Sequence, residues 1–295
     1  MNNDSLKVDL LKRIETALPK LSKGHKLVAS FILEHYDKAA YMTAAKLGME
    51  VGISESTVVR FADELGFEGY PELQHSLREI VRNKLTTLQR IEITNDRIGN
   101  NDILGKVVNS DMEKIRRTLD KINPDHFNSA VDAIVSAENI YILGMRSSSS
   151  LATFMSFYFN LIFDNVRHVS SSGGSEIFER IMRITNRDVM IGISFPRYSK
   201  RCINAVQYAK SQGAHIVALT DSNISPIAEL ADSLLLAESD MASFVDSLVA
   251  PLSIINAIIV AAGMKKKDDV SNTFKRLEEI WDEYDVYQKV PDMRI

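Results

Sequence analysis

Three serine-rich segments each follow a short apolar run in the second half of the chain. They read GMRSSSS (144–150), SSSGGSE (170–176) and SFPRYSK (194–200). Hydroxyl groups and the free backbone N–H groups at helix starts favour anions, above all phosphate. If the apolar runs are parallel strands, the three segments meet at one edge of a sheet and form one pocket for a polyol or a phosphate. The alternative is that these serines only cap helices.

The side chains expected to bind such a ligand come from all three segments. They are Arg146, Ser147, Ser148, Ser171, Ser172, Ser194, Arg197, Ser199 and Lys200. Arg197 suits a phosphate or a carboxylate, because a guanidinium group donates two parallel hydrogen bonds. An ion pair with Glu176, or with an acid of a neighbouring subunit, is the alternative for Arg197. His168 either faces the pocket or sits within its strand.

A second group of polar residues lies in the segment 43–65, TAAKLGMEVGISESTVVRFADEL. A first helix is followed by Gly52, where the chain must turn, and Ser54 is placed to cap a second helix. The second helix carries its apolar residues Val58, Phe61 and Leu65 on one inward face. Gly48 supplies the small residue that the crossing of the two helices requires.

The outer face and first turn of that second helix then carry Ser54, Glu55, Ser56, Thr57 and Arg60. Hydroxyl groups donate to phosphates or base edges, and an arginine binds phosphate or makes a bidentate pair with guanine. This arrangement predicts the recognition helix of a helix-turn-helix that binds double-stranded DNA. An ordinary helical hairpin is the alternative.

The remaining pattern predicts two domains. Residues 1–83 show apolar positions at helical spacing, with Ser22 as a candidate N-cap, and 84–123 predict a linker and a connecting helix. Residues 124–295 alternate helices with short apolar runs at 139–144, 166–170, 188–194, 214–220 and 233–237. Such runs predict strands of a parallel sheet covered on both faces. The expected fold is an all-α helix-turn-helix domain followed by a doubly wound α/β domain.

Composition narrows the class of protein. The net charge is −4, so a DNA-binding surface must come from the arrangement of charges. The single cysteine, Cys202, excludes an intramolecular disulfide and a cysteine-based zinc site, and it is expected to pack in the core. The apolar stretch 248–263 is shorter than the about 20 residues of a membrane span and predicts a buried helix. We expect a cytoplasmic protein with no metal, no cofactor and no membrane contact.

The run GISESTVVRFADELGFEGYPELQ (52–74) resembles the N-terminal domain of the RpiR-type bacterial regulators. The element VVRF followed by LGF-x-G-[YF]-P-E is distinctive, and the resemblance covers nearly the whole chain. It implies a helix-turn-helix joined to a sugar isomerase (SIS) domain. It also implies that Ser54, Ser56, Thr57 and Arg60 lie in the recognition helix, and that Gly66, Gly69 and Pro71 shape the exit into the next helix.

The same resemblance bears on the serine-rich loops. Gly144, Arg146, Ser147 and Ser148 match the pattern G-x-[GR]-S-S of the family's first loop. The third loop, usually S-x-S-G-x-T, departs from the family, because Pro196 and Arg197 replace its central Ser-Gly while Ser194 and Ser199 correspond. The proline removes a backbone N–H donor, and the arginine adds a charged guanidinium group with paired hydrogen-bond donors. A standard sugar phosphate and a different acidic metabolite both remain open as ligands.

These patterns favour a transcription regulator of sugar metabolism. We expect a small anionic effector of the phosphosugar class to control it. Its expected partners are an inverted-repeat operator and further copies of the chain, as a homodimer or tetramer. One alternative is a phosphosugar isomerase with an accessory helical domain, for which His168 and Glu176 are the candidate bases, neither in a catalytic signature. The other is a protein adaptor that binds no DNA.

The run 278–285 predicts an acidic, solvated helix face around a packed Trp281.

Overall fold

The computed structural model describes residues 9–84, 102–170, 176–239 and 245–288. They form two compact units, one with the residues up to Lys106 together with Val245, and one with the remainder. The division falls inside 84–123, the segment predicted to hold the linker and connecting helix. The first unit is helical and the second is α/β, as the sequence predicted.

Five helices build the described part of the first unit. They are α1 (Asp9–Ala17), α2 (Lys23–Ala39), α3 (Ala44–Val51), α4 (Glu55–Glu64) and α5 (Tyr70–Lys84), with a 3-10 turn at Leu18–Lys20. The hydroxyl of Ser22 accepts from the N–H of His25, which confirms the predicted cap, and Thr43 caps α3 in the same way. The inward residues Val58, Phe61 and Leu65 of α4 are buried in one core with α1, α2, α3 and α5, as predicted.

The turn between α3 and α4 depends on two glycines. Gly52 has φ +75° and ends α3. The Gly52 N–H donates to Met49 O at 3.4 Å and the Ile53 N–H to Gly48 O at 2.8 Å, the paired hydrogen bonds of a Schellman motif. A Cβ atom at position 48 would lie 2.8 Å from the Ile53 carbonyl oxygen. The close turn therefore requires glycine at position 48 for space and at position 52 for its backbone conformation.

Side chains of helix α5 donate hydrogen bonds to the backbone of the segment between α2 and α3. Tyr70 Oη donates to Met42 O at 2.8 Å, Arg78 Nε donates to Ala40 O at 2.9 Å, and Gln74 also donates to Met42 O. These carbonyls follow the end of α2, where helical partners run out. Burial raises the pKa of Tyr70 to about 12, so its hydroxyl remains a donor at neutral pH. The tyrosine of the G-Y-P-E motif and the residues that follow the motif thus hold the segment between α2 and α3 in place.

The second unit is built on a five-stranded sheet. Its strands are β1 (Ile140–Gly144), β2 (Val166–His168), β3 (Val189–Ile193), β4 (His215–Thr220) and β5 (Ser233–Leu236). All pairs are parallel and the strand order is β2-β1-β3-β4-β5. The helices are α6 (Ile103–Lys121), α7 (Pro124–Ser136), α8 (Ser148–Phe159), α9 (Glu176–Ile181), α10 (Lys200–Ser211), α11 (Val249–Lys265) and α12 (Lys267–Glu283).

The sheet is buried on both faces, as its apolar runs predicted. In β1, Ile140 and Ile142 pack on one side against α7, α8 and α11. Tyr141 and Leu143 pack on the other side against α9 and α10. Alternate residues of a strand point to opposite faces, so continuous apolar runs are what a sheet covered by two helical layers needs. The carboxyl ends of β1 and β2 are where the first two serine-rich segments begin.

The apolar stretch 248–263 forms most of α11, which packs in the core through residues such as Ile255 and Ile258. Among the described residues, no single helix is long and apolar enough to cross a membrane. Helices α11 and α12 pass a test of length and composition only when taken together, and they are bent by 97° at the break between them.

Candidate functional site

Helix α4 presents the residues predicted to bind DNA. Ser54 Oγ accepts from the Thr57 N–H at 3.3 Å and lies 2.9 Å from the hydroxyls of Ser56 and Thr57, so it caps the helix. Ser54, Glu55, Ser56 and Arg60 are exposed. The first turn of α4 therefore offers hydroxyl groups and one guanidinium on a helix whose opposite face is packed in the core.

Thr57 differs from the other four predicted residues. A Cβ atom on Gly24 of α2 would lie 3.2 Å from the Thr57 methyl group, so that methyl faces the first turn of α2. At the other end of α4, Glu64 pairs with the ring of His25, and this ring makes an edge contact with Phe61 at 5.9 Å between centroids. Gly24 and His25 thus position α4 against α2, and sequence reasoning assigned neither residue a role.

A cavity of about 430 Å³ opens at the carboxyl ends of β1 and β2. Its described lining comes from the first serine-rich segment, the end of β2 and helix α9. The lining residues are Gly144, Met145, Arg146, Ser149, Thr153, His168, Ser170, Glu176 and Arg180. The volume lies in the range of small-molecule sites, about 300–1,000 Å³. The structure thus brings the first serine-rich segment and the two end residues of the second, Ser170 and Glu176, to one site.

The first segment turns sharply over this cavity. A Cβ atom on Gly144 would lie 2.3 Å from Ser148 O, so glycine is needed where helix α8 begins against the strand. Arg146 adopts a left-handed backbone conformation with φ 58° and is exposed. Ser149 Oγ donates to Arg146 O at 2.6 Å, and Thr153 Oγ1 donates to Ser149 O at 2.9 Å. These hydrogen bonds stabilise the start of α8. The Arg146 guanidinium is the charged group of this loop.

The opposite wall of the cavity carries three ionisable groups. Arg180 Nη2 donates to Glu176 Oε1 at 3.0 Å along helix α9. Burial, and to a smaller extent the nearby Arg180, lowers the pKa of His168, so its imidazole is neutral at pH 7. A neutral imidazole and two arginines facing one glutamate make the cavity positively charged. A second cavity of about 430 Å³ shares His168 and Arg180 and adds Arg167 and Arg183.

The third segment follows β3, which pairs with β1, so it begins at the same edge of the sheet as the first segment. Ser194, Phe195 and Pro196 are buried, while Arg197 and Lys200 are exposed, and none of the residues 194–200 belongs to the described lining of the cavity. Tyr198 Oη donates to Asp221 Oδ1 at 2.8 Å. Ser199 precedes α10 without making a side-chain cap.

Of the predicted ligand residues, the cavity contains Arg146, with Ser147 and Ser148 in the same turn. Ser171 and Ser172 lie outside the described residues. The prediction missed Arg180, whose available signal was its position one helical turn after Glu176. Cys202 is fully buried, and burial raises the pKa of its thiol to about 12, so it packs as a small apolar residue. Among the described residues, no three His, Cys, Asp or Glu side chains form a metal-binding group.

Comparison with known proteins matches both units. A model of the helix-turn-helix domain of the rpiR family matches residues 8–84, and a model of the SIS domain matches residues 133–261. The chain is similar to the HTH-type transcriptional regulator HexR of Escherichia coli, with 27% identity over 282 residues that cover 92% of this chain and 94% of the relative. An HTH-type transcriptional regulator of Clostridium perfringens is 26% identical over 76% of this chain and 79% of its own length.

Two solved structures share the fold. The sugar isomerase domain of the RpiR transcription factor from Sphaerobacter thermophilus is 25% identical with a TM-score of 0.58, covering 61% of this chain and 99% of that domain. The Vibrio vulnificus NanR protein complexed with ManNAc-6P is 20% identical with a TM-score of 0.58, covering 93% of this chain and 98% of its own. With both domain models matched in order and the curated relatives matched along most of their length, the chain belongs to the RpiR family of helix-turn-helix transcriptional regulators with a C-terminal SIS domain.

Proposed function

We propose that helix α4 reads an operator upstream of genes for sugar metabolism, and that a phosphosugar bound in the cavity between β1, β2 and α9 controls this binding. The observation that carries the effector half is the placement of Arg146 and Arg180 around a cavity of about 430 Å³ that also presents hydroxyl groups. The charged groups suit a phosphate, and the remaining polar surface suits a polyol. The ManNAc-6P complex of NanR supports the same class of ligand.

The division of labour follows the domains proposed from the sequence, with 1–83 for DNA, 84–123 as linker and connecting helix, and 124–295 for the effector. The DNA contacts are assigned to Ser54, Glu55, Ser56, Thr57 and Arg60. One recognition helix covers only a few base pairs, so we propose a homodimer, or a tetramer of two dimers, on an inverted repeat. Such a regulator acts in the cytoplasm, where its operator lies.

The operator half is tested with Arg60→Ala. Arg60 is exposed on α4, so its removal leaves the core intact and removes a contact to DNA. We expect a loss of about 1–3 kcal/mol in operator affinity, at one base pair for a guanine contact and for all sequences alike for a phosphate contact. Fluorescence anisotropy with labelled operator DNA measures this loss. Arg116→Ala on α6 is the matched control, and equal affinities for the two variants would remove Arg60 from the interface.

A further inference from the structure

Helix α12 contains no buried residue, although all its residues are described. Its side chains Phe274, Leu277 and Trp281, with Tyr284 just after its end, are spaced at i, i+3, i+7 and i+10. They form one stripe, here called the aromatic face. Trp281 lies 6.4 Å from the Phe274 ring and 5.2 Å from the Tyr287 ring, between centroids. Most of the stability of a helix in a protein comes from packing of one face, and α12 buries none of its residues. The aromatic face therefore needs a partner.

Helix α6 shows a second uncovered apolar surface in the same unit. Val108, Met112, Ile115 and Leu119 repeat at i, i+4, i+7 and i+11, with 48%, 56%, 41% and 73% of each side chain exposed. Such a row of large exposed apolar residues on a soluble protein marks an interaction surface.

The row borders a groove of about 350 Å³ between α6, α7 and α11, here called the α6 groove. Its apolar lining includes Ile115, Leu119, Ile122, Phe127, Ile254 and Ala257. Two hydroxyls also line it, and both are satisfied within the chain. Thr118 Oγ1 accepts from the Glu238 N–H, and Ser253 Oγ donates to Val249 O, each at 2.9 Å. The groove therefore suits a largely apolar occupant, because neither hydroxyl needs a new partner.

The α6 groove is a fixed surface because α6 is tied to the rest of its unit. Ser247 Oγ donates to Asp111 Oδ1 at 2.7 Å, and the Glu238 N–H donates to Thr118 Oγ1 at 2.9 Å. Lys121 pairs with Glu238 at the end of the helix. These contacts hold the opposite side of α6, so the exposed row keeps one orientation.

We propose that helix α12 of one copy of this chain packs its aromatic face into the α6 groove of a second copy, which returns the same contact. Each chain supplies both an aromatic face and an α6 groove. Its own α12 leaves α11 at a bend of 97° and buries none of its residues. Reciprocal exchange between two copies about a two-fold axis covers both surfaces in one closed dimer.

The charges of the two helices support this pairing over the packing of like helices. Helix α6 carries five basic and three acidic residues, a net charge of +2. Helix α12 carries three basic and six acidic residues, a net charge of −3. Opposite net charges attract when α12 approaches α6, whereas two copies of α6, or two copies of α12, repel each other. The inference deepens the homodimer of the proposed function and names its interface.

Trp281, the only tryptophan of the chain, reports on the contact directly. We expect the full-length protein to sediment as a dimer, and its tryptophan emission to shift to longer wavelength as dilution drives dissociation. Leu119→Glu, on α6, should give a monomer with the red-shifted emission at every concentration. Phe274→Glu should also give a monomer, and neither exposed site is part of the folded core.

Met264→Glu is the control, because Met264 is an exposed apolar residue of α11 that does not line the α6 groove. It should leave the dimer and the emission unchanged. A monomeric wild type, a Leu119→Glu dimer, or dissociation without a shift of the Trp281 emission would each overturn the proposal. Disruption by Met264→Glu alone would overturn it as well. All measurements are made without DNA or effector, so loss of this interface alone leaves the operator and effector proposals standing. A monomeric wild type would also contradict the homodimer of the proposed function.

Discussion

Arg180 contributes a charge to the cavity proposed to bind the effector, and the serine-rich pattern did not predict this charge. In the free protein its guanidinium donates to Glu176 at 3.0 Å. A phosphate entering the cavity competes with this carboxylate for the same donors. A hydrogen bond to a charged group contributes roughly 1.5–3 kcal/mol, so Arg180 is the side chain whose loss should weaken effector binding most clearly.

We therefore predict that Arg180→Ala binds the phosphosugar about 10- to 100-fold more weakly than the wild type, a factor that corresponds to roughly 1.4–2.8 kcal/mol. Arg197→Ala should change the affinity less, because Arg197 is exposed outside the described lining of the cavity. Isothermal titration of both variants compares them. A larger loss in Arg197→Ala would place the anion in the third serine-rich segment, as the sequence predicted.

A second prediction concerns pH. Burial lowers the pKa of His168 and of His215 in the folded state below the usual value of about 6.5. Below pH 6.5 the unfolded chain binds protons at these positions more readily than the folded chain does. The free energy of unfolding should therefore fall as the pH is lowered through 6.5.

Urea unfolding of the effector-free protein between pH 7.5 and 5.5 measures this dependence. His168→Asn should reduce the slope, because one of the two groups no longer titrates. His75→Asn, a substitution in α5 of the helical unit, is the control for an unspecific histidine effect. An unchanged slope in His168→Asn would show that His168 titrates alike in the folded and unfolded states.

Among the elements, the turn between α3 and α4 gives the clearest test of how local packing defines the DNA-binding unit. Alanine normally stabilises a helix interior by about 1 kcal/mol relative to glycine. At position 48 the added methyl would lie 2.8 Å from Ile53 O. We predict that Gly48→Ala lowers the melting temperature and weakens operator binding, since the start of α4 must move.

Gly263→Ala is the matched control in α11. There the nearest atom to the added methyl is Ile162 Cδ1 at 3.7 Å, which is an ordinary contact. This variant should melt at a higher temperature than the wild type and bind operator normally. Calorimetry and anisotropy compare the two substitutions, and a stabilised Gly48→Ala would show that the turn yields to accommodate a Cβ atom.

The strands and the helix-turn-helix were predictable because their signals are local. A buried parallel strand reads as a continuous apolar run, and the pattern from Gly52 to Leu65 combines a turn, a cap and a 3.6-residue repeat. The cap at Ser54 and the inward face of α4 followed from these signals alone.

The composition of the cavity was less predictable because it depends on how distant elements assemble. The sequence placed three serine-rich segments at strand ends, but it did not show that β2 is an edge strand beside β1. With that order, the cavity forms between β1, β2 and α9, and residues 194–200 follow β3 on the other side of β1. The run 278–285 was predicted as an acidic, solvated helix face around a packed Trp281. In the structure Trp281 is only partly buried, and the whole of α12 has no buried residue.

The whole molecule joins a DNA-binding unit and an effector-binding unit through one chain. Helix α6 runs from Ile103 to Lys121, and the division between the units falls within it at Lys106. An effector that controls operator binding must bind the DNA-bound protein and the DNA-free protein with different affinities. The same free energy of coupling then sets the effect of the effector on operator affinity and the effect of the operator on effector affinity.

We predict that saturating phosphosugar changes operator affinity by a factor that equals the change in phosphosugar affinity caused by saturating operator DNA, in the same direction. Typical coupling of 1–3 kcal/mol corresponds to about 5- to 150-fold. Anisotropy titrations with and without effector give one factor, and isothermal titrations with and without operator give the other. The effector alone, at 100 times its dissociation constant, should also stabilise the fold by about 2.7 kcal/mol. Arg180→Ala should keep wild-type operator affinity while a fixed, subsaturating effector concentration no longer changes it. If the effector stabilises the fold but leaves operator affinity unchanged, the α/β unit binds its ligand without regulating the helical unit.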